Sequence, residues 1–365
     1  MNSAWQIKKL GEVCTIIAGQ SPEGNFYNEN GGGLPFYQGK KEFGERFIGS
    51  PTTWTTQITK VAEKDDILMC VRAPVGPINF ATEKICIGRG LAIIRSGDLI
   101  NKDFLFYFLS LNEENIVGNA GAVFASISKK DIENIEIPLP PLAEQKRIVK
   151  ILDEVFEGIA KVKENTEKNL QNVKELFESY LQSIFSDPRE GWEVRNFDEC
   201  IDKVIYTNKI QRKYFLEDGK FPIISQEKDL INGYWDKKDD LFHLKKPIII
   251  FGDHTKILKY IDFDFVLGAD GVKVLQPKDF LFPKLFYYFL RSITLKKLGY
   301  ARHYRLLIEK HVVYPKSLLE QKKIVAKLDA LSEQTKKLEG IYKQKLLDLE
   351  ELKKSVLKKA FCGEL

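Results

Sequence analysis

Two stretches of the chain carry apolar residues in steps of three and four across many helical turns. The first runs Leu142, Ile148, Val149, Leu152, Val155, Phe156, Ile159, Val162, then Leu170, Val173, Leu176, Phe177, Tyr180, Leu181 and Ile184. The second runs Leu318, Ile324, Val325, Leu328, Leu331, Thr335, Leu338, Tyr342, Leu346, Leu349, Leu352, Val356 and Leu357. The positions between are Lys, Glu, Asn and Gln, so each stretch predicts a long amphipathic helix with one apolar stripe. Ser317 and Glu320 have capping-box spacing at the second start, and Pro141 stands at the first, where its missing N–H costs nothing. Asp187-Pro188 ends the first helix. At ~1.5 Å per residue each helix is roughly 60 Å long.

Elsewhere the pattern is short-range. Ile67–Val71 and Leu91–Ile94 are apolar runs bounded by Gly, Pro and Asp, and predict buried strands. Lys102–Leu111 predicts a short aromatic helix. Gly31-Gly32-Gly33 and the Pro74/Pro77 pair mark loops. The expected segments are an α+β domain over 1–140, a long helix over 141–187, a second domain over 188–316 and a second long helix over 317–365.

The segments repeat. Glu144-Gln145 and Glu320-Gln321 stand at equivalent places near the two helix starts. Trp5 answers Trp192, Leu34–Gln38 answers Phe221–Ser225, Ile67–Cys70 answers Ile248–Phe251, Gly90–Ile93 answers Gly271–Val274, and Phe104–Leu109 answers Leu285–Leu290. The order of landmarks is kept from end to end, and a repeat this long is a domain plus a helix rather than a solenoid unit. A lone amphipathic helix must bury its stripe, and the other copy is the simplest partner. The expected arrangement is an antiparallel helix pair between two globular ends, with pseudo-twofold symmetry.

A net charge of +5 and pI near 8.6 permit a nucleic-acid partner without demanding one. Cys14, Cys70, Cys86, Cys200 and Cys362 are scattered, and His243, His254, His303 and His311 form no ligand pattern with them, so no metal site is expected. The cysteines read as reduced thiols of a cytoplasmic protein. The polar start is no signal peptide and no run reaches the length of a membrane helix.

Pro141-Leu142-Ala143-Glu144-Gln145-Lys146-Arg147-Ile148-Val149, its second copy Ser317–Val325, the ending Leu357–Leu365 and the opening Trp5…Leu10-Gly11-Glu12-Val13 resemble the specificity subunit of type I restriction–modification enzymes. The resemblance covers the whole chain. The second copy departs in having Lys316-Ser317 in place of the proline pair. The resemblance implies an α+β fold: two similar mixed α/β target-recognition domains, separated by a long antiparallel two-helix coiled coil. Each domain would read one half of a bipartite target in double-stranded DNA. The helices would space the domains and dock two methyltransferase subunits, with Leu142, Ile148, Leu152, Leu318, Ile324 and Leu328 as the packing and docking residues. Two motor-endonuclease subunits would join for restriction. S-adenosylmethionine, ATP and Mg would belong to those partners. This chain would be a non-catalytic subunit of the deoxyribonuclease and adenine methyltransferase complex.

The residues agree that catalysis is not expected here. No Asn/Asp-Pro-Pro-aromatic motif and no Walker A sequence occurs. Gly252-Asp253-His254 lacks an assignable third group, and the first half has Arg72-Ala73-Pro74 at the corresponding place. Base reading calls for Arg or Lys to guanine, Asn or Gln to adenine, Asp or Glu to cytosine, on loops that differ between the halves. The first-half candidates are Gln38, Lys40, Lys41, Arg72 and Arg89. The second-half candidates are Gln226, Lys228, His254, Lys256, Arg302, His303 and Arg305. Gln38 and Gln226 follow equivalent short strands and make the best pair. The alternative is a helical scaffold whose globular ends bind protein.

Overall fold

A computed structural model of the chain describes residues 5–113, 116, 126–269, 271–296 and 302–365. The elements run β1 (Gln6–Lys9), α1 (Leu10–Val13), β2 (Cys14–Ala18), β3 (Tyr27–Asn28), β4 (Leu34–Tyr37), β5 (Trp54–Thr55), β6 (Val61–Ala62), β7 (Ile67–Cys70), β8 (Ile78–Phe80), β9 (Ile85–Ile87) and β10 (Leu91–Ser96). Then come α2 (Lys102–Leu111), α3 (Lys129–Glu133), β11 (Glu136–Leu139) and the long α4 (Leu142–Ser186). The second half follows with β12 (Trp192–Asn196), α5 (Phe197–Cys200), β13 (Ile201–Asp202), β14 (Lys209–Ile210), β15 (Phe221–Ile224), β16 (Gly233–Trp235), β17 (Leu241–Phe242), β18 (Ile248–Gly252), β19 (Leu258–Ile261), β20 (Phe265–Gly268) and β21 (Val272–Pro277). It closes with α6 (Pro283–Ser292), α7 (Tyr304–Ile308), β22 (His311–Pro315) and α8 (Leu318–Cys362). The predicted short helix over Lys102–Leu111 and both long helices stand where the periodicity puts them.

Two compact units result: Met1–Thr166 with Lys345–Leu365, and Glu167–Gln344. Each long helix is shared between them, so compactness divides the chain within the helices rather than at their starts. The two domains are linked by these helices. In the first unit β2-β10-β7-β8 form one sheet and β3-β5-β4-β9-β6 another. In the second, β13-β21-β18-β19 form one sheet, and β14-β20-β15-β16, with β17 on β20, the other. A two-stranded ribbon, β1-β11 or β12-β22, leads into each long helix.

The strands β7 and β18, inside those sheets, are buried on both faces, which is why they are continuously apolar. Ile67 and Met69 of β7 face α2 and the long helices, while Leu68 and Cys70 face the other sheet. In β18 those faces belong to Ile249 and Phe251, and to Ile248 and Ile250. The ladders agree: Ile67 pairs with Ile94, and Ile249 with Leu275. Ile67 therefore answers Ile249 and Cys70 answers Gly252, one residue on from the match that the apolar runs alone suggest. A strand's period of two makes that slip consequential, because it would exchange every side chain between faces.

The helix ends pack within the units. Ile148, Val149 and Leu152 of α4 join Leu357, Ala360 and Phe361 of α8 against α2. Phe177, Leu181 and Phe185 of α4 join Val325 and Leu328 of α8 against α6. Inside each unit the start of one helix meets the end of the other, an antiparallel pairing. Ile148, Leu152 and Leu328 are buried and Ile324 packs on the same core, but Leu142 and Leu318 are 41% and 42% exposed. As the first residues of their helices, those two project beyond the packed stripe. Leu176, Tyr180, Leu338 and Leu352 are likewise exposed, whereas Thr166, Val173, Thr335 and Leu349 are buried, so the buried stripe is narrower than the apolar pattern.

The starts are fixed by a device other than the predicted box. Ser317 Oγ accepts from the Glu320 amide only at 3.5 Å, and the Glu320 carboxylate takes the Trp192 indole N–H at 3.3 Å. The fully buried Gln145 and Gln321 hold the frame instead. Gln145 Nε2 donates to the carbonyls of Leu99 and Pro140, and its Oε1 accepts from the Asn101 amide at 2.8 Å. Gln321 donates to Phe280 and Pro315 and accepts from the Phe282 amide at 2.6 Å. One turn-spanning side chain thus ties each long helix to the loop before α2 or α6. Tyr107 donates to Asp153 and Tyr288 to Asp329, repeating a second link.

Candidate nucleic-acid interface

In the first unit, turns far apart in sequence meet where β7 ends. Cys70 N donates to the Pro77 carbonyl at 2.8 Å and Gly76 N to the Cys70 carbonyl at 3.1 Å, closing the turn between β7 and β8. Gly76 adopts φ 111°, open to glycine without strain. Val71 N donates to Gly90 at 2.9 Å, and Gly88 N to Tyr37 at 2.8 Å, drawing in the turns after β9 and β4. A Cβ on Gly90 would lie 2.1 Å from the Gln38 carbonyl, so this close approach requires glycine.

The resulting cleft is lined by Gln38, Lys40, Arg72 and Arg89, over a floor that includes Cys70 and Gly90. Four of the five first-half candidates are thereby brought together. Lys41 does not line the cleft and lies 3.9 Å from Glu42. Lys40, Arg72 and Arg89 are exposed, and among the described residues no carboxylate forms an ion pair with any of them. Gln38 donates to Ser21 Oγ at 3.3 Å, and that same oxygen accepts from the Arg89 amide at 3.1 Å. Burial pushes the Cys70 thiol up to about 12, so it stays a neutral thiol. Three cations with a carboxamide suit a polyanion with hydrogen-bonding edges.

The second unit builds the matching place from three candidate segments. Gly252 N donates to Ile257 at 2.9 Å and Lys256 N to Gly252 at 2.7 Å, so the turn between β18 and β19 closes as its counterpart does. Lys256 takes the left-handed φ of 61° where the first unit has Gly76. Gln226 Oε1 accepts from the His254 amide at 3.1 Å, and its main-chain oxygen accepts from Thr255 Oγ1 at 2.7 Å. The carbonyl of Asp253 accepts from the His303 amide at 2.8 Å, and its carboxylate from the Tyr304 amide at 2.8 Å. Residues 226, 253–256 and 302–305 thus share one corner.

One candidate changes role here. His303 is only 2% exposed, with its Nδ1 3.0 Å from the Asp253 carbonyl, so its ring fastens the turn and offers no edge to DNA. Gln38 and Gln226 do follow the equivalent strands β4 and β15, one position apart. Phe36 and Tyr37 pair with Cys86 and Ile87, and Ile223 and Ile224 pair with Val266 and Leu267. Gln38 therefore answers Ser225, and Gln226 lies one residue further. Arg302, Arg305 and Lys228 are exposed, with Arg305 3.5 Å from Glu309.

Sequence reasoning missed the residues that hold the turns. Asn79 pairs with Leu68 and Lys259 with Ile250, the same rung in the two units. Asn79 is buried, accepts from the Gly44 amide at 2.8 Å and donates to the Gly44 carbonyl at 3.1 Å. Lys259 is also buried; its ammonium donates to the carbonyls of Asp229 and Leu230 and to Asn232 Oδ1 at 2.8 Å. Burial depresses its pKa to about 8, against the opposing pull of Glu227 and Asp229. A polar residue within a short strand carries no mark in the sequence of which loop it will reach. Among the described residues no helix is long and apolar enough to cross a membrane.

A helix-linked, duplicated α+β protein with a turn cluster at the end of each central strand is the class defined by this architecture. The sequence profile described as the type I restriction modification DNA specificity domain matches residues 2–172 and 189–347, and the chain belongs to that family. It is 45% identical over 179 residues to the MjaX specificity subunit assigned to a type I restriction enzyme of Methanocaldococcus jannaschii, covering 47% of this chain and 42% of that protein. The chain thus spans under half the length of that relative. With the type I restriction enzyme MjaVIII specificity subunit of the same organism it shares 25% identity, over 96% of this chain and 90% of that one. A chain solved in work on complex assembly and conformational transition of the type I R-M system superposes with a TM-score of 0.84 at 20% identity, over 100% and 99% of the two chains. The HsdS subunit from Thermoanaerobacter tengcongensis gives 0.61 at 20% identity, over 100% and 98%. These solved structures share the fold.

Proposed function

We propose that this chain is the DNA-reading, non-catalytic subunit of a type I restriction–modification assembly, each unit reading one half of a bipartite target. The observation that carries this reading is the repeated turn cluster: sequence-distant turns meet at the end of the central strand in both units, on one frame with different side chains. Cations such as Lys40, Arg302 and Arg305 would bind phosphates and set register, while groups with paired donors or acceptors would meet base edges. The exposed parts of α4 and α8 would dock methyltransferase subunits, which would bring S-adenosylmethionine and the transfer chemistry. Motor-endonuclease subunits with ATP and Mg would complete restriction in the cytoplasm.

The test is co-expression with an adenine methyltransferase subunit, followed by mobility shift and by mapping of methylated adenines. A discontinuous two-part methylation target, lost when this chain is omitted, is expected. Methylation that is indifferent to this chain would defeat the reading.

A further inference from the structure

The matched turns at the ends of β7 and β18 single out one position. Val71 donates its amide to Gly90 at 2.9 Å and accepts at its carbonyl from the Ile127 amide at 3.1 Å. Asp253 donates to Gly271 at 2.7 Å and accepts from the His303 amide at 2.8 Å. Cys70 and Gly252, the residues before them, make equivalent bonds across their turns, to Pro77 and Gly76 in one unit and to Ile257 and Lys256 in the other. The main chain is therefore held by the same four hydrogen bonds up to one residue. The next residue is Arg72 in the first unit and His254 in the second.

Both occupy the corner where the other turns converge. Arg72 lines the cleft with Gln38, Lys40 and Arg89. His254 has its amide on Gln226 and carries a buried Nδ1 with no hydrogen-bond partner among the described residues. A fixed frame with one exchanged side chain is the arrangement in which a change of residue alters what is read while leaving the fold alone. The guanidinium is a rigid fork of donors with no acceptor, matched to the O6 and N7 acceptors of guanine. With its Nδ1 buried, the His254 imidazole leaves only Nε2 to offer and cannot reproduce that fork.

We infer that the position held by Arg72 and His254 determines specificity in each half-target, with Arg72 reading a guanine in the first half. The inference rests on the DNA-reading function proposed above. The experiment is selection from a randomised duplex library by the complex of this chain with its methyltransferase, comparing wild type with Arg72→Gln. At one position of the first half, discrimination in favour of guanine should fall by about 5- to 150-fold. The second half and the spacer should be unchanged. Arg72 is exposed, so the variant should fold; Arg72→His, which places the second unit's own residue in the same frame, provides an independent variant.

Uniform weakening on all sequences, with the salt dependence reduced by about one ion, would make Arg72 a phosphate-binding residue and overturn the inference. So would a first half that neither variant alters. Wild-type complex that selects no two-part target would remove the functional reading, and this inference with it. A two-part target left intact by both variants removes the inference alone.

Discussion

Gln145 donates its side-chain amide to the Pro140 carbonyl at 2.8 Å from a position with no solvent exposure, and Gln321 makes the same bond to Pro315 at 2.8 Å. Each also accepts from a main-chain amide and donates to a second carbonyl, both in part-buried bonds, so one side chain satisfies three backbone groups. Replacing either by Leu leaves the buried carbonyl without a partner, at ~1–3 kcal/mol, and the two part-buried groups at less because water reaches them. Gln145→Leu should destabilise the first unit and Gln321→Leu the second, each by about 2–5 kcal/mol. Urea unfolding with proteolysis of each half would measure it. Wild-type stability in either variant would show that water replaces the bracket.

Leu328 of α8 is fully buried in the core that also holds Leu181 of α4 and Phe289 of α6. Leu328→Ala should cost ~2–5 kcal/mol through the cavity it leaves. Leu328→Asp adds an unpaired buried carboxylate and should give insoluble protein, or protein that no longer co-purifies with the methyltransferase. Recovery of soluble, fully assembling Asp variant would contradict the burial of this side chain. Leu318→Asp, at an exposed position, should fold normally.

Lys259 links stability to pH. Its folded-state pKa of about 8 lies below that of a free lysine, so between about pH 8 and 10 the unfolded chain binds more protons than the folded one. The Lys259 contribution to stability should therefore rise with pH across that window, and below about 8 its burial cost is fully present. Lys259→Met should remove this slope and loosen the Asp229–Asn232 loop that the ammonium ties. Difference unfolding curves, wild type minus variant, from about pH 7 to 10 measure it. A difference that does not vary with pH would refute the assignment.

Arg302 and Arg305 are exposed on the segment fastened by His303 and Asp253. Changing both to Ala should alter stability by less than about 0.5 kcal/mol. DNA affinity should fall, and the salt slope should shrink by about one for each phosphate that is no longer neutralised. Any loss of discrimination should be confined to one half-target, as read by library selection. Equal losses in both halves would deny the modularity of the two units. His303→Ala should behave differently, destabilising the corner itself because its ring is buried.

The long helices, the short helix over Lys102–Leu111 and the duplication were legible in the chain, because each is written in local periodicity or in repeated order. Gln38, Lys40, Arg72 and Arg89 stood out by residue type, and the fold, with its close backbone approach at Gly90, places them around one cleft. The family resemblance lay in the same residues that build the frame, since the Glu-Gln pairs that mark it include the glutamines that bracket the helix starts.

Pairing, by contrast, was decided in three dimensions. The apolar runs matched Ile67 to Ile248, and the two faces of the sheet move the match to Ile249, because all these residues are apolar and only the packing partner distinguishes a face. That one-residue shift is what makes Arg72 answer His254. The sequence could not tell that His303 is buried while Arg302 and Arg305 beside it are exposed, or that Lys259 reaches the Asp229–Asn232 loop. Periodicity records which residues prefer to leave water. Which polar residue is taken with them depends on main-chain groups distant in sequence that need its hydrogen bonds.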